Sequence, residues 1–553
     1  MDNKRYQLTI RAILFSISII GITGLYWGNI KGIGTGPDSA HYIDCAENLI
    51  KGKGYSTYLH NYFRPIPIKD YIEDSLNKHN NRPRPETHFP PFYSICIAFL
   101  MLLGLNGLVA AKLIVIVLFG LNIYILGITI SRYTKNSLFF SLLAALIMLG
   151  SESMLAAHSN ALSEPLFIFF CLIALLFLSK FIDTGRYGSL IVGSAAIGLA
   201  TLTRYIGVTL IATAILGIFF LSQRTRRRKI LDISVLVIFS LLPSSLFLMR
   251  NIIIAKTEIN RQISIQSINI YETVKTSFLN LTGWVVPGSN KFLVFQGQII
   301  IASLLTFMII IAFCILGYIF VLKKKKEDPK KHVSKILKES PILYALYISV
   351  YIGFLIFSIH FLDKSSLGEM ERMLSPIFGP SLIIAFFMIY YLSILIKKKM
   401  YRIIKIVLVF YCMAYVLSGI AWIYLRHNKG IGYSNKYWSS PPIQEAFLVL
   451  QKFPVSMPIF SNDSASIYFY AHRYAYNLNA ASFLNEPDQL KKAVEKVQLI
   501  FLLFKSEAHK EGAKSASGYS LEEITETLRN EKNIEVLIHN DNVSLFRTIP
   551  FGP

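Results

Sequence analysis

PPFYSICIAFLMLLG, Pro90–Gly104, is the stretch on which the fold turns. It is apolar but short, since a helix needs about 20 residues to span a bilayer. If it crosses, every later loop changes side. The basic runs QRTRRRK (Gln223–Lys229), KKKKEDPKK (Lys323–Lys331) and KKKMYRIIK (Lys397–Lys405) would then face outward, against the preference of Lys and Arg for cytoplasmic loops. If it lies in the interface, all three runs fall inside, as do Arg132/Lys135 and Lys180/Arg186. One choice satisfies five loops, so Pro90–Gly104 reads as a juxtamembrane helix.

Outward from this stretch, the basic start MDNKRYQLTIR precedes an apolar run to about Trp27 with no small-residue cleavage site. It reads as an uncleaved first span with the N-terminus in the cytoplasm. The polar stretch that follows, with the juxtamembrane helix, makes a first external loop over 29–106. Further spans are expected at about 107–131, 138–157, 164–181, 188–205, 206–222, 230–249, 295–321, 342–361, 375–396 and 403–424, about 11 in all.

Composition agrees. Of 553 residues, 53% are apolar and 16% charged, against about 45–50% and about 25% in soluble domains; the mean hydropathy is +0.48. A disordered chain is excluded. The formal charge of +23 sits in short clusters between apolar runs, which argues for membrane topology and against nucleic acid as a partner. Cys45, Cys96, Cys171, Cys314 and Cys412 are scattered without a CxxC pair, so neither a disulfide framework nor a zinc motif is expected.

After about residue 425 the apolar runs shorten. Strands are expected at Met457–Ser461, Val497–Phe504, Ile534–His539 and Val543–Ile549, with helices at about 464–472 and 520–531. The alternation predicts a small α/β domain over 426–553, external by loop parity. The transmembrane domain is then 1–425.

Charged residues at the external ends of spans are the candidates for chemistry. GPDSAHYIDCAENLIKGKGY (Gly36–Tyr55) reads as a helix on which Asp38, Tyr42, Cys45 and Leu49 share one face; Asp44, Glu47 and Lys51 share a more polar one. Asp38 is either a functional acid or a helix N-cap. Glu164, in HSNALSEPLFIFF (His158–Phe170), is a second external acid or simply a helix-start residue favoured by the dipole. Arg204 in ATLTRYIG and Arg372 in GEMERMLSPIFGP oppose the topology bias. Arginines there suit a phosphate, gripped in a bidentate way; the alternative is snorkelling or pairing with a neighbour such as Glu371. Tyr42, His88, Tyr93, His158 and Tyr205 are secondary candidates for substrate contact. No phosphate-binding loop, dinucleotide motif, HExxH or nucleophile elbow is present.

The order of these features resembles a known group. An acid just outside span one, a Tyr-containing helix ending in GKGY, then HFPP, SEPLF, LTRY and ERMLSPIFGP is similar to the GT-C membrane glycosyltransferases. Within them it resembles family 39, which includes protein O-mannosyltransferases and the aminoarabinose transferase of lipid A. The resemblance covers about residues 1 to 425. It implies a polytopic α-helical bundle with juxtamembrane helices in the first external loop. It implies a sugar donor linked to polyprenyl phosphate and an acceptor on the external face. By similarity, Asp38 is the catalytic acid residue, Glu164 a second one, and Arg204 and Arg372 hold the donor phosphate. Asp38 is followed by Ser39, so the paired-acid form of some members is absent. No cofactor is certain, and a divalent metal, which wants more carboxylate oxygens, has little support.

The expected activity is an inverting single displacement on the external face of a bacterial inner membrane, with the C-terminal domain periplasmic. A flippase for a lipid-linked sugar and a non-catalytic membrane scaffold are the alternatives. The flippase predicts mid-span charges and repeated halves, and neither is visible. Sugar, acceptor and carrier length are not legible.

Overall fold

The computed structural model describes residues 3–59, 83–255, 281, 283–288, 341–361, 370–478, 498–506, 509 and 520–549. The expected span at 295–321, the basic run 323–331 and residues 63–82 of the first loop lie outside them. The chain forms two compact units: Met1–Ile30, Thr87–Tyr93 and Lys112–Asn428 make one, and Lys31–Glu86, Ser94–Ala111 and Lys429–Pro553 the other.

The first unit is a bundle of apolar helices. Seven helices among the described residues are long and apolar enough to cross a membrane. They are α1 (Asn3–Gly28), α4 (Gly107–Tyr133), α7 (Glu164–Thr184), α10 (Arg226–Ala255), α11 (Ile342–Phe361), α12 (Met370–Leu395) and α13 (Lys398–Lys429). Two shorter apolar helices, α8 (Tyr187–Thr203) and α9 (Val208–Leu221), join through a 3-10 turn at Tyr205–Gly207. α8 packs on α7 and α10, and α9 on α11.

The decisive stretch forms α3, Phe92–Leu102. Its 11 residues reach about 16 Å at 1.5 Å each, about half the hydrocarbon thickness. The bundle gives an independent check. Lys112 Nζ donates to the backbone oxygen of Asn29 at 2.8 Å, so the chain leaves α1 and returns to α4 at the same end of the bundle. The opposite end is tied by Arg132 and Asp183 at 2.5 Å, between the C-terminal ends of α4 and α7.

One expected span differs. The run 138–157 is not straight: α5 (Leu138–Gly150) and α6 (Glu152–His158) meet at 62°. Ser151 is extended, with φ −70 and ψ 117. At this bend α13 crosses closely: a Cβ on Gly150 would stand 2.3 Å from the Tyr415 carbonyl oxygen.

The second unit contains α2 (Pro37–Ile50), a short antiparallel pair β1 (Ser56–Thr57) and β2 (Arg84–Pro85), and a five-stranded sheet. The sheet strands are β3 (Ile459–Ser461), β4 (Tyr476–Asn477), β5 (Ile500–Phe504), β6 (Ile534–His539) and β7 (Val543–Thr548), in the order β4-β3-β5-β7-β6. β3 runs parallel to β4 and β5, and β7 antiparallel to β5 and β6. Every residue of β5 is buried, as a central strand covered on both faces requires. The helices are α14 (Pro441–Gln451), α15 (Ser464–Ala471) and α16 (Leu521–Asn530). Asp463 caps α15, its carboxylate accepting from Ser466 N–H at 3.1 Å. Ser520 and Glu523 cap α16 reciprocally. The expected strands and helices are present; α14 and β4 were not anticipated.

Candidate active site

α7 begins at Glu164 with Pro165 second. The proline lacks only an N–H that the first turn cannot use, and the helix dipole favours an acid there. Glu164 is 1% exposed. Its Oε1 accepts from two guanidiniums, the Nη1 of Arg204 and the Nε of Arg372. Its Oε2 is buried and meets no hydrogen-bond donor among the described residues.

The two arginines reach this oxygen from different elements. Arg204 stands between α8 and the 3-10 turn in an extended conformation, φ −149 and ψ 134. The turn is tight, because a Cβ on Gly207 would stand 2.7 Å from the Thr201 backbone. An extended residue in so sharp a turn points its side chain out of the hairpin, towards α7, where Nη1 also lies 3.3 Å from Ser163 Oγ. Arg372 belongs to the first turn of α12. Tyr205, next to Arg204, donates its hydroxyl to the Thr87 carbonyl at 2.9 Å, which brings the turn beside His88. So Glu164, Arg204, Arg372, Tyr205 and the 87–88 segment converge, although they come from four separate stretches of sequence.

His158 belongs to the scaffold and not to a substrate surface. It is fully buried. Its Nδ1 is 2.8 Å from the Met154 carbonyl and its Nε2 3.0 Å from Asn122 Nδ2. Asn122 also donates to the Pro165 carbonyl at 3.1 Å, so this pair braces the first turn of α7. A second brace is Arg426, whose Nε and Nη2 both donate to Asn29 Oδ1 at 2.8 and 2.6 Å and whose Nη2 reaches the Ser159 carbonyl. Neither brace was expected, although an asparagine within the apolar α4 and an arginine in α13 are visible as anomalies. Tyr93 is fully buried.

Asp38 and Tyr42 lie on α2 in the second unit. Asp38 is half-buried in the first turn. The N-cap is Gly36, whose N–H donates to Ser39 Oγ at 3.2 Å, which rules out the capping alternative for Asp38. Tyr42 is buried. The expected polar face is a correction: Asp44 is fully buried. It accepts from Thr57 Oγ1 and Tyr58 N–H, each at 2.7 Å, and from the Tyr474 hydroxyl at 2.9 Å. Burial pushes its carboxyl above the ordinary aspartate value, against the hydrogen bonds that lower it. Among the described residues no group of three His, Cys, Asp or Glu is arranged to hold a metal ion.

Solved structures share this architecture. ArnT from Cupriavidus metallidurans, bound to undecaprenyl phosphate, superposes with a TM-score of 0.55 at 13% identity, over 97% of each chain. The fold is therefore the one seen in that structure. The arabinofuranosyltransferase AftD from Mycobacteria gives a TM-score of 0.56 at 11% identity; the match covers 98% of this chain and 40% of AftD. Residues 88–248 match the model of the family described as dolichyl-phosphate-mannose-protein mannosyltransferase. The matched region holds His88, Glu164, Arg204 and Tyr205. No curated protein matches the sequence.

Proposed function

We propose that this chain transfers a sugar from a polyprenyl-phosphate donor to an acceptor at the external face of a bacterial inner membrane, inverting the anomeric carbon. The observation that carries the reading is the meeting of Arg204 and Arg372 on Glu164 at the ends of their helices. Charges near membrane depth are costly and tend to be functional. Two guanidiniums, each with five N–H donors, suit the donor's phosphodiester and the phosphate monoester that departs from it. The likeness to an ArnT bound to undecaprenyl phosphate supports a donor of that class.

In the proposed step an acceptor hydroxyl or amine attacks the anomeric carbon. The bond from that carbon to the phosphate oxygen breaks, and its electron pair leaves with the polyprenyl phosphate. Asp38 takes the acceptor's proton. Arg204 and Arg372 meet the charge that develops on the departing phosphate, where stabilisation counts most. Glu164 holds both arginines in orientation. A donor that arrives on a lipid needs no nucleotide motif, and none is present. The N-terminus is cytoplasmic and the residues after about 425 periplasmic in this reading.

The test uses purified protein in detergent with a radiolabelled polyprenyl-phosphate sugar and native membrane extract. Free polyprenyl phosphate released by wild type and not by Asp38→Asn supports the transferase and its base. Equal release from both removes Asp38 from that role. No release from wild type across several sugars overturns the reading.

A further inference from the structure

The helix that carries Asp38 has a second face that the proposed step leaves unused. On it, Asp44 gathers three donors from two segments: Thr57 in β1 and Tyr58 just after it, and Tyr474 from beyond α15. One turn away, Glu47 Oε1 accepts from the Tyr468 hydroxyl at 3.1 Å. The rings of Tyr58, Tyr474 and Tyr468 stack in that order, with centroids 4.5 and 5.9 Å apart. Asn48 Nδ2 closes the group onto the Ser56 carbonyl at 2.9 Å.

An apolar side chain would pack α2 at least as well, because burying a carboxylate carries a desolvation cost. What the carboxylate adds is direction. Three donors converging on two oxygens fix both the rotation of α2 about its axis and its register along it. Asp38 lies six residues earlier on the same helix, about 9 Å along the axis. A side-chain displacement of about 1 Å at a reacting group can cost about 10²-fold in rate.

We propose that Asp44 and Tyr474 are positioning residues through which the C-terminal part of the chain sets the placement of Asp38. The proposal rests on the reading of Asp38 as the base. It makes the residues after 428 part of the catalytic apparatus without giving them a reacting group.

The test is a double-mutant cycle on the full chain, with kcat and donor KM measured for each variant and folding followed by thermal melting in detergent. Tyr474→Phe keeps the ring stack and removes one hydroxyl. It is expected to lower kcat about tenfold while donor KM and melting temperature hold. In the Asp38→Asn background the same change is expected to lower the residual rate no further, because the group it positions is gone. Asp44→Asn is expected to lower kcat and spare donor KM in the same way, although its melting temperature also moves with pH. Wild-type kcat in Tyr474→Phe, or an equal fold-loss with and without Asp38, overturns the proposal while leaving the base assignment intact. A wild-type rate in Asp38→Asn alone overturns the base assignment, and the positioning proposal with it.

Discussion

Glu164 Oε1 accepts from both Arg204 and Arg372, so one buried carboxylate oxygen orients two guanidiniums that are 168 positions apart in sequence (372 minus 204). This sets charge against geometry. Glu164→Gln removes a negative charge near the proposed phosphate site, a repulsion of about 3 kcal/mol at roughly 5 Å and an effective dielectric of ~20. It also loosens both arginines. Binding feels mainly the charge and catalysis mainly the geometry. The expected outcome is a donor Kd no weaker than wild type together with a kcat at least about tenfold lower. Equilibrium binding of a polyprenyl-phosphate sugar, measured beside turnover, checks it; weaker binding with unchanged kcat would contradict it.

The arginines themselves are not replaceable by lysine in this arrangement. Lysine keeps the charge but loses the planar fork that can bond a carboxylate and a phosphate at once. Loss of one charge-assisted hydrogen bond is worth about 1.5–3 kcal/mol, or roughly 10- to 150-fold in affinity. Arg204→Lys and Arg372→Lys are each expected to weaken donor binding within that range. Unaltered donor affinity in both would move the phosphate site elsewhere.

Asp38→Asn tests the base. General base catalysis contributes about 10²–10⁴-fold, so the barrier should rise by at least ~2.7 kcal/mol, at ~1.36 kcal/mol per tenfold. Donor KM should hold, because the lost proton transfer belongs to the transition state. Single-turnover release of polyprenyl phosphate reads this directly.

The outline of the fold was legible because its signals are local. Lysine and arginine runs assigned Pro90–Gly104 to the interface, and the Lys112–Asn29 contact reports the same return of the chain. Arg204 and Glu164 were legible as charges at helix ends, but their pairing was not, since nothing near either residue names the other. Asp44 misled for the same reason. Beside Glu47 and Lys51 it looks like a solvated face, and its partner Tyr474 is 430 residues away. The break at Ser151 falls on Ser151-Glu152-Ser153, a polar interruption of the run 138–157 that the span reading passed over, while the close approach of α13 at Gly150 left no local mark. By contrast α14 was readable. Pro441 follows a serine, and Ile443, Ala446, Phe447 and Leu450, all buried, repeat at helical spacing.

Asp44 predicts a pH dependence of stability. Its folded carboxyl titrates above the ordinary aspartate value because burial disfavours the charge. The folded chain therefore holds this proton more tightly than the unfolded chain. The resulting stabilisation is fully present below the unfolded value of 3.8 and is lost as pH rises through the raised folded value. The melting advantage of wild type over Asp44→Asn should accordingly shrink as pH is raised from about 4 towards 7. Detergent melts of both proteins across that window check the sign, and an advantage that grows with pH would contradict it.

Gly150 predicts a structural failure at one point in the bundle. A Cβ there would stand 2.3 Å from the Tyr415 carbonyl oxygen, and one on Gly419 would stand 2.7 Å from Gly150 Cα. The two glycines thus let α5 and α13 touch backbone to backbone. The obstructing atoms are main chain, so no side-chain rotation can relieve them. Gly150→Ala forces the helices apart and opens the junction at Ser151, where the chain turns towards His158 and the brace on α7. Overpacking of this kind costs about 1–3 kcal/mol. The variant should melt lower in detergent than wild type and should also lose turnover, because the shift reaches the start of α7 that presents Glu164. Gly188→Ala is the control, since a Cβ there meets nothing within 4 Å and alanine raises helix propensity. Equal melting temperatures for the two variants would mean that the α5–α13 crossing is looser than its backbone contacts indicate.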